Sequence, residues 1–533
     1  MGRMKKFWII IGIIALSVLL IIGACFAFLY FKPGSSILGL KYVNVENRRD
    51  YVYRQDSDHP IADVDELYIN TERCNITFLV SGYEDVMNVT HINKFAGFTR
   101  DEGTSSYSAS VVSKGTKNIF NIYTSEKYEG LSSQESFLYI YLPTSYSFTK
   151  ITAISQYGNI SITTFGGDVD IPVDNIILST ANEGNIYVNR LGTTNNVSFT
   201  TTLGDVVFNQ DSSVSFNKVE FNTKSGSFKL KNSTGTILNA TDKFVVNASG
   251  DASINIGLLN SNLELNAQGG DYIFDIIGSE SDEKDVIVNG NNINFSAQQI
   301  YGIVSLYDND SVNVSNKISI NAIDSTRASV FTIGKGSARI KKVGADISIS
   351  STSGSIYLSE VDADCDVYAY SISGPIRIDY VEADGTHATT NTRVISKTGS
   401  IQLNNISGKL YVEVLENSKT SNLAIAFNAI YNVEDNFIIS KDRDLALTWS
   451  GNSDALICRL YTKNLASFYT ASGAVSTLGS EVTTSDVLEH DLEDYPDYSH
   501  QYRIGYGKGS LKYAQAGKLF VDSSRDINIV ISR

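Results

Sequence analysis

The sequence predicts an all-β fold, an elongated β-solenoid (parallel β-helix-like) with repeats of about 20–25 residues, preceded by one N-terminal transmembrane helix. Three observations predict it: a glycine-centred motif recurs, apolar and polar residues alternate around it, and an uncharged apolar run opens the chain. Alternation with a period of two is typical of strands, and a fixed repeat indicates stacked coils. Antiparallel sandwiches and barrels also alternate, so they remain the alternative fold.

The opening run, Phe7 to Phe31, holds 25 residues without a charge. As a helix rising ~1.5 Å per residue it spans roughly 37 Å, enough to cross a hydrocarbon core of about 30 Å. The basic residues 1–6 predict a short cytoplasmic tail, with the body of the chain outside the cell. A cleaved signal peptide and a lipidated Cys25 remain alternatives to this signal anchor, although the apolar run continues past Cys25.

The clearest repeat aligns SGSIYLSEVDAD, from Ser353 to Asp364, with SGPIRIDYVEAD, from Ser373 to Asp384. A third copy begins at Thr398. Weaker copies start at Gly158, Gly184, Gly204 and Gly226. One such unit cannot bury its apolar side alone, whereas stacked copies can. Each repeat is therefore expected to hold at least two short strands that stack onto the next repeat.

Stacking predicts one buried column of equivalent side chains, formed by Ile160, Ile186, Val206, Phe228, Ile356, Ile376 and Ile401. The repeated glycine is expected at a corner between strands, where it permits a positive φ that strains other residues. Between Gly270 and Gly334 the motif weakens, although the residues stay strand-like.

Composition divides the remaining chain into three regions. Residues 32–150, rich in tyrosine and charge, are predicted to form a β-rich membrane-proximal region or N-terminal cap. Residues 151–415 carry the solenoid repeats, and residues 416–533 form a β-rich C-terminal region or cap whose last strand, 526–531, repeats the pattern. Caps are expected because a repeat array otherwise leaves its sheet edges open.

Charge and cysteine content exclude several classes of protein. Lys and Arg total 43 against 58 for Asp and Glu, a net charge of −15. Such an acidic chain repels phosphate backbones, so nucleic-acid binding is not expected. Outside the apolar run the cysteines are Cys74, Cys365 and Cys458, whose odd number and wide spacing predict neither a disulfide framework nor a zinc site. A single disulfide among them stays open.

A longer segment, SFLYIYLPTSYSFTKITAISQYGNISI, runs from Ser136 to Ile162. It resembles the bacterial β-strand-repeat domains grouped as the putative adhesin family, through a first strand with the Leu142-Pro143 step, Thr/Ser-rich strands and Gly-x-Ile-x-Ile turns. The resemblance extends from about Asp65 to Gly408. It implies a cell-envelope protein, often attached to the membrane, and it implies no catalytic residues. Residues 416–533 have no clear parallel in that family.

Acidic residues are the first candidates for chemistry. Asp168 and Asp170 lie two residues apart on one predicted strand, so their side chains are expected on the same face. Any two carboxylates at this spacing have a separation near that of a glycosidase pair, so the spacing alone does not indicate catalysis. We therefore expect a solvated outer face. A second acidic group lies at alternating positions, which point to one face of a strand, and continues one repeat later. It consists of Glu360, Asp362, Asp364, Asp366, Glu382 and Asp384. Stacked carboxylates supply the oxygens that Ca²⁺ requires. A calcium site at Asp362, Asp364 and Asp366 and a solvated corner are therefore both open.

Other site motifs are missing from the sequence. His490 and His500 flank an acidic, tyrosine-rich stretch that is expected to be an exposed loop. No zinc-protease, nucleophile-elbow or phosphate-binding loop motif occurs, and the stretches 334–337 and 507–510 are predicted turns. We therefore assign no catalytic, cofactor-binding or metal residues. Thirty tyrosines are the unusual feature, and outward ones such as Tyr187 and Tyr357 offer amphipathic contacts to sugars or proteins.

These observations predict a non-catalytic, membrane-anchored cell-surface protein that acts as an adhesin-like binding or spacer module and needs no cofactor. The expected partners are the membrane, through the N-terminal helix, and glycans, matrix or envelope components, or a partner membrane protein. Two other functions stay open. One is envelope-stress sensing or regulation through a partner membrane protein. The partner would be required because the short cytoplasmic tail can hardly signal alone. The other is a β-helix polysaccharide lyase or hydrolase, although no acid–base constellation supports it.

Overall fold

The structure is a computed structural model in which one helix and 42 strands are described. The described residues are 2–32, 35–54, 64–80, 86–99, 104–127, 130–143, 147–163, 173–189, 191, 194–209, 215–230, 237–307, 315–382, 391–416, 423–427, 435–440, 445–450, 458–463, 466–470, 473–474, 487–489, 500–504, 517–523, 525 and 527–532. They confirm the predicted all-β fold. The chain divides into two compact units, Met1–Phe216 and Asn217–Arg533.

The N-terminal helix, α1, runs from Gly2 to Phe31 and so includes the basic residues that precede the apolar run. Its segment Ile11–Phe31 has a mean hydropathy of 2.8 over 21 residues. That length and composition are sufficient to cross a membrane, and a signal sequence meets the same test. The predicted apolar helix is therefore confirmed as a helix.

The strands of the first unit range in length from 2 residues in the first strand to 15 in the second. They are β1 (Ser36–Ile37), β2 (Leu40–Arg54), β3 (Glu66–Thr71), β4 (Cys74–Val80), β5 (Val86–Thr99), β6 (Thr104–Lys114), β7 (Lys117–Lys127), β8 (Gly130–Leu142), β9 (Phe148–Ser155), β10 (Ile160–Ile162), β11 (Val173–Thr180), β12 (Ile186–Val188), β13 (Asn196–Thr201) and β14 (Val206–Phe208). The next strand, β15 (Ser215–Thr223), contains the division between the units.

Parallel strands in the first unit stack into two walls. Wall A stacks β7, β3, β9, β11 and β13, and wall B stacks β8, β4, β10, β12 and β14. Each coil thus supplies one strand to each wall, as the repeat predicted. The register aligns Ile160 with Ile186 and Ile186 with Val206, all fully buried. Parallel pairing confirms the solenoid over the antiparallel sandwich.

Antiparallel strands close the start of the first unit. Strand β6 pairs with β7 on wall A, while β5 pairs with β8 on wall B and β2 pairs with β5. The coil of β3 and β4 lies between the coil of β7 and β8 and the coil of β9 and β10, so stacking order departs from chain order. Antiparallel strands thus cover the outer edge of each parallel wall, so that further parallel coils cannot be added there.

The second unit continues the two-strand coils. Its strands after β15 are β16 (Ser227–Leu230), β17 (Ile237–Ala248), β18 (Ala252–Ala267), β19 (Gly270–Ile277), β20 (Val286–Gly290), β21 (Ile293–Tyr301), β22 (Val304–Tyr307), β23 (Lys317–Asp324), β24 (Ser329–Thr332), β25 (Ser337–Gly344), β26 (Ile347–Ser351), β27 (Ile356–Val361), β28 (Val367–Ser371), β29 (Ile376–Ile378), β30 (Asn391–Ser396), β31 (Ile401–Ile406), β32 (Lys409–Val414), β33 (Leu423–Phe427), β34 (Asp435–Ser440), β35 (Leu445–Ser450), β36 (Cys458–Thr462), β37 (Ala466–Thr470), β38 (Gly473–Ala474), β39 (Val487–Glu489), β40 (His500–Ile504), β41 (Gly517–Ser523) and β42 (Ile527–Ser532).

Even-numbered strands from β20 to β34 form wall A of this unit, and odd-numbered strands from β19 to β35 form wall B. Ile356, Ile376 and Ile401 stand in register and are buried, which confirms this part of the predicted column. Between Gly270 and Gly334, where the sequence motif weakens, the residues are strand-like as predicted, and strands β19 to β24 keep the same parallel register. The core there uses the same apolar alternation without the glycine motif.

Two strands of the last coil lie between strands that precede them in sequence. On wall A, β41 pairs with β34 on one side and β36 on the other. On wall B, β42 pairs in the same way with β35 and β37. Antiparallel β40 then covers β36, and β39 covers β40. The described residues of the C-terminal region thus form strands, and the coil of β41 and β42 is inserted into the stack.

The repeated glycines serve a different purpose from the predicted one. The glycines with positive φ are Gly39, Gly115, Gly270, Gly278, Gly302, Gly334 and Gly408. The motif glycines Gly184, Gly204, Gly354, Gly374 and Gly399 are not among them; a Cβ on each would overlap the carbonyl oxygen of a glycine in the preceding coil. Space between stacked backbones, rather than a positive φ, is what requires glycine here.

A buried hydroxyl precedes most motif glycines and closes the corner. Ser351, Ser371 and Ser396 each donate from Oγ to the carbonyl oxygen of the glycine three residues later, at 2.7, 2.8 and 3.0 Å. In the first unit Thr180 donates likewise to Gly184 at 2.6 Å. At these four corners the Ser or Thr that ends the strand therefore donates a hydrogen bond to the glycine carbonyl. Before Gly158 and Gly226 the corresponding hydroxyl instead accepts a hydrogen bond from the glycine N–H.

Replacing Ser371 with alanine is expected to lower the free energy of unfolding by about 1–2 kcal/mol, because the buried Gly374 carbonyl loses its hydroxyl donor. Chemical denaturation followed by circular dichroism measures the change. Ser373→Ala is the matched control, since Ser373 is exposed, and we expect it to change stability by less than about 0.5 kcal/mol. Equal effects of the two variants would contradict the role given to the buried hydroxyl.

Candidate binding site

Outward residues of wall B in the second unit form an in-register row. Strand alternation buries Ile356 and Leu358 and turns Tyr357 outward between them. Arg339 on β25 aligns with Tyr357 on β27, which aligns with Arg377 on β29. The row continues to Gln402 on β31. The stacked coils thus bring together side chains that the sequence separates.

Two guanidinium groups stack on the ring of Tyr357. The guanidinium carbons of Arg339 and Arg377 lie 5.2 and 5.3 Å from the ring centroid. Because β25 and β29 flank β27 on opposite sides, the two cations approach the ring from opposite neighbouring strands. Cation–π contacts of this kind hold long arginine side chains in a fixed direction.

Asp379 organises one side of the row. Its carboxylate accepts hydrogen bonds from Tyr357 Oη at 2.6 Å, Arg377 Nε at 2.7 Å and Asn404 Nδ2 at 2.8 Å. Partial burial alone would raise the pKa of this carboxyl group, but hydrogen bonds from Arg377, Tyr357 and Asn404 outweigh it and lower the pKa below its ordinary value. The charge of Arg377 is therefore balanced, whereas Arg339 has no carboxylate partner among the described residues.

Replacing Asp379 with asparagine is expected to lower the melting temperature of the protein by a few degrees at neutral pH. The pKa of Asp379 is lower in the folded state than the ordinary 3.8, so its stabilising contribution is present above pH 3.8 and is lost as the pH falls through the lower folded-state value. The difference in melting temperature between wild type and Asp379→Asn should therefore shrink below about pH 4. A difference that is the same at pH 3 and pH 7 would contradict this assignment.

A groove of about 420 Å³ crosses the outer face of wall B beside this row. Its rims carry Ser355, Pro375 and Ser400 on one side and Tyr357, Arg377 and Gln402 on the other, and Arg339 lies at one end. All but Tyr357 and Ser400 are exposed. The groove can therefore offer a cation, hydroxyl groups and an amide to one ligand.

The two tyrosines proposed as binding residues lie in different units and are not brought together. Tyr187 is 43% exposed on wall B of the first unit, and Tyr357 is half-buried in the groove of the second unit. A comparable arginine–tyrosine stack lies on wall A, where Arg393 stands 5.8 Å from the ring of Tyr368 and 4.9 Å from that of Tyr411. Sequence alternation identified the outward tyrosines but missed their arginine partners.

The carboxylates considered for calcium do not converge. Asp362 pairs with Lys342 Nζ at 3.2 Å, while Asp366 accepts hydrogen bonds from Asn391. Among the residues that the structure describes, no group of three His, Cys, Asp or Glu side chains could hold a metal ion.

Asp364 has a φ of 65° at the corner beside Cys365. Burial and the carboxylates of Asp362 and Asp346 raise the pKa of the Cys365 thiol to about 11.

Several other candidates fall outside the described part of the chain: Asp168, Asp170, Asp384, His490, residues 507–510 and the side chains of Cys458 and His500. The stretch 334–337 is described and forms the predicted turn, with Gly336 N donating to Ile333 O at 2.8 Å.

A buried polar cluster in the first unit was not foreseen. Cys74 Sγ lies 2.7 Å from Ser136 Oγ, 3.2 Å from Thr124 Oγ1 and 3.8 Å from His91 Nε2. A cysteine beside a histidine is the arrangement of thiol nucleophiles. Here all four side chains are buried, at most 5% exposed, so substrates cannot reach the sulfur. The cluster links strands β4, β5, β7 and β8 through side-chain contacts. Cys74 is a free thiol, as is Cys365 in the second unit.

Comparison with known proteins finds a family similarity over part of the chain. Residues 64–301 match the family model described as Toastrack DUF4097. This part of the chain is therefore similar to Toastrack domains. The Toastrack match agrees with the predicted relationship to β-strand-repeat domains, and it ends before the groove, whose residues begin at Arg339.

Two further comparisons accompany the Toastrack match. The chain is similar to the crystal structure of a putative cell adhesion protein from Clostridium sporogenes ATCC 15579, with 10% sequence identity, 42% of this chain and 100% of that chain covered, and a TM-score of 0.24. No curated protein matches the sequence significantly.

Proposed function

We propose that this protein is a membrane-anchored, cell-surface β-solenoid that acts as a non-catalytic, adhesin-like binding or spacer module. The observation that carries the proposal is the capping of the parallel coils, by β2, β5 and β6 in the first unit and by β39 and β40 in the second. Covered edges prevent growth by strand addition. The outward side chains of the walls are then the surfaces available for contact.

Contacts at the end of α1 support the anchor over a cleaved signal sequence. Phe26 packs edge-on against Phe98 with centroids 4.7 Å apart, and Tyr30 packs against Tyr42 at 4.9 Å. These contacts join the helix to β5 and β2 of the first unit. A segment destined for cleavage needs no such contacts with the mature domain, whereas aromatic residues at a helix end suit a membrane interface. The orientation proposed is a cytoplasmic N-terminus and an extracellular body.

The anchor is tested by membrane fractionation and N-terminal sequencing of the protein expressed from its full gene. An uncleaved chain that stays in the membrane after alkaline carbonate extraction supports the proposal. A mature N-terminus at or near Cys25 would instead establish processing or lipidation at that position.

The binding function is tested with the full-length chain in lipid nanodiscs, presented to an array of glycans, peptidoglycan and matrix proteins with and without Ca²⁺. Saturable binding to one class supports the module. No binding, together with a membrane protein that co-purifies from mild detergent, would replace it with the regulatory function. Release of reducing sugars from a polysaccharide would establish the carbohydrate-active alternative.

A further inference from the structure

We propose that the groove on wall B binds the carboxylate-bearing sugar units of an acidic glycan, with Arg339 as the group that contacts the carboxylate. This inference rests on the proposed binding function and deepens it by naming the surface and the chemical class of the ligand. It is carried by the charge, the rigidity and the hydrogen-bonding groups of the groove.

Arg339 supplies an uncompensated positive charge within an acidic chain. The chain carries a net charge of −15, and the neighbouring Arg377 is balanced by Asp379. Arg339 is exposed and contacts Tyr357 rather than a carboxylate. A guanidinium group pairs well with a carboxylate, because its N–H groups match the two oxygens. Among the described residues that line the groove, Arg339 is the cation without a carboxylate partner, and the chain as a whole is acidic. A single cation on such a chain favours a ligand with isolated carboxylates over a dense polyphosphate.

The remaining groups of the groove suit the neutral part of a sugar. Ser355 and Ser400 offer hydroxyl groups and Gln402 offers an amide, each able to donate to and accept from sugar hydroxyls. Pro375 presents a flat apolar surface between the two serines. Strands in one wall are ~4.8 Å apart, so Arg339 and Gln402, three strands apart, are separated by roughly 14 Å. That distance suits a short run of sugar rings lying across the strands.

The ligand-binding groups are held in place before a ligand arrives. Tyr357 is fixed by Asp379 through its hydroxyl, and its ring in turn supports the guanidinium of Arg339. Because these side chains are already ordered, binding loses less side-chain entropy than it would on a mobile surface. A rigid wall of stacked strands is the kind of element on which a site keeps its geometry.

An acidic peptide fits the groove less well than a glycan. Extended peptides commonly bind by adding a strand to an open sheet edge. Here β27 pairs with β25 and β29 on its two sides, and β29 pairs with β31, so the main-chain groups beneath the groove are already paired. Only side chains are available, and they carry the hydroxyl and amide groups that a glycan uses.

The test compares wild type with Arg339→Gln and with the matched control Arg393→Gln, all as full-length chains in lipid nanodiscs. Arg393 is also exposed and stacked on tyrosines, but it lies on wall A away from the groove. The probes are oligogalacturonate, oligoalginate and hyaluronan oligosaccharides, the methyl ester of the oligogalacturonate, and a glutamate-rich peptide, with affinity measured by calorimetry. Thermal melts verify that each variant is folded.

We expect wild type to bind at least one carboxylated oligosaccharide. Arg339→Gln should weaken that binding about tenfold, while Arg393→Gln leaves it within about twofold; a tenfold loss corresponds to about 1.4 kcal/mol. The uncharged methyl ester should bind no better to wild type than to Arg339→Gln, and added salt should weaken wild-type binding.

Three results would overturn the inference. They are no binding of any carboxylated oligosaccharide, equal losses in Arg339→Gln and Arg393→Gln, and tighter Arg339-dependent binding of the glutamate-rich peptide. The proposed function fails separately, if wild type binds nothing on the broad array and a membrane protein co-purifies with it from mild detergent. Saturable array binding that is unchanged in Arg339→Gln would retain the module and reject the groove.

Discussion

Replacing Gly354 with alanine is expected to destabilise the second unit by about 3 kcal/mol, at the upper end of the cost of overpacking. A Cβ at this position would overlap the carbonyl oxygen of Gly336 in the preceding coil. The obstacle is backbone, which cannot rotate away as a flexible side chain can. Relief therefore requires β27 to move away from β25, and that movement would disturb the buried contacts of Ile356.

Gly257→Ala is the matched control within the same unit. Gly257 lies inside β18, and a Cβ there would meet Asp275 Oδ2 at 3.5 Å, an ordinary contact distance. Since glycine in a strand is less favourable than alanine, this variant should leave stability unchanged or raise it by less than about 1 kcal/mol. Both variants are measured by chemical denaturation of the full chain. If Gly354→Ala were as stable as Gly257→Ala, the spatial explanation for the glycine column would be wrong.

The fold could be predicted from sequence wherever local alternation determines the answer. Ile356 and Ile376 have the same position in two copies of one motif, so their burial and register followed from the repeat. The reason for the glycine did not follow, because a glycine that recurs in each repeat indicates that a side chain is excluded without indicating what excludes it. Gly374 has no positive φ, and only the carbonyl of the coil beneath it explains the choice.

The stacking order of the coils could not be predicted. All coils have the same alternation of apolar and polar residues. The local sequence of β42 therefore does not determine that it pairs with β35 and β37. Its neighbours are determined by long-range docking.

The groove was likewise predictable only in part. Strand alternation directs Tyr357 outward, but its contacts with Arg339 and Arg377 depend on the register between coils. The buried group around Cys74 was missed for this reason as well.

Introducing a charge at the inserted coil should produce the largest loss of stability in the chain. Ile527 on β42 is fully buried and stands in register with Leu445 on β35 and Ala466 on β37. Ile527→Asp would place a carboxylate between these apolar neighbours, where no cation is in register with it. The expected cost is about 4–5 kcal/mol, the range of an unpaired charge in a core. Asn528→Asp adds the same charge at the adjacent, half-buried position and should cost less than about 0.5 kcal/mol.

Hydrogen exchange distinguishes an inserted coil from a coil at the end of the stack. Strands β36 and β37 are joined to the preceding wall strands only through β41 and β42 in the described part of the unit. Displacing the last coil in Ile527→Asp should therefore remove protection from amides of residues 458–470 as well as from 517–532. Strands β25 to β31 should keep their protection, because stability in a repeat array is transmitted mainly between neighbours. If residues 458–470 remained protected while 517–532 exchanged freely, the last coil would lie outside them, and the order of the stack would follow the order of the chain.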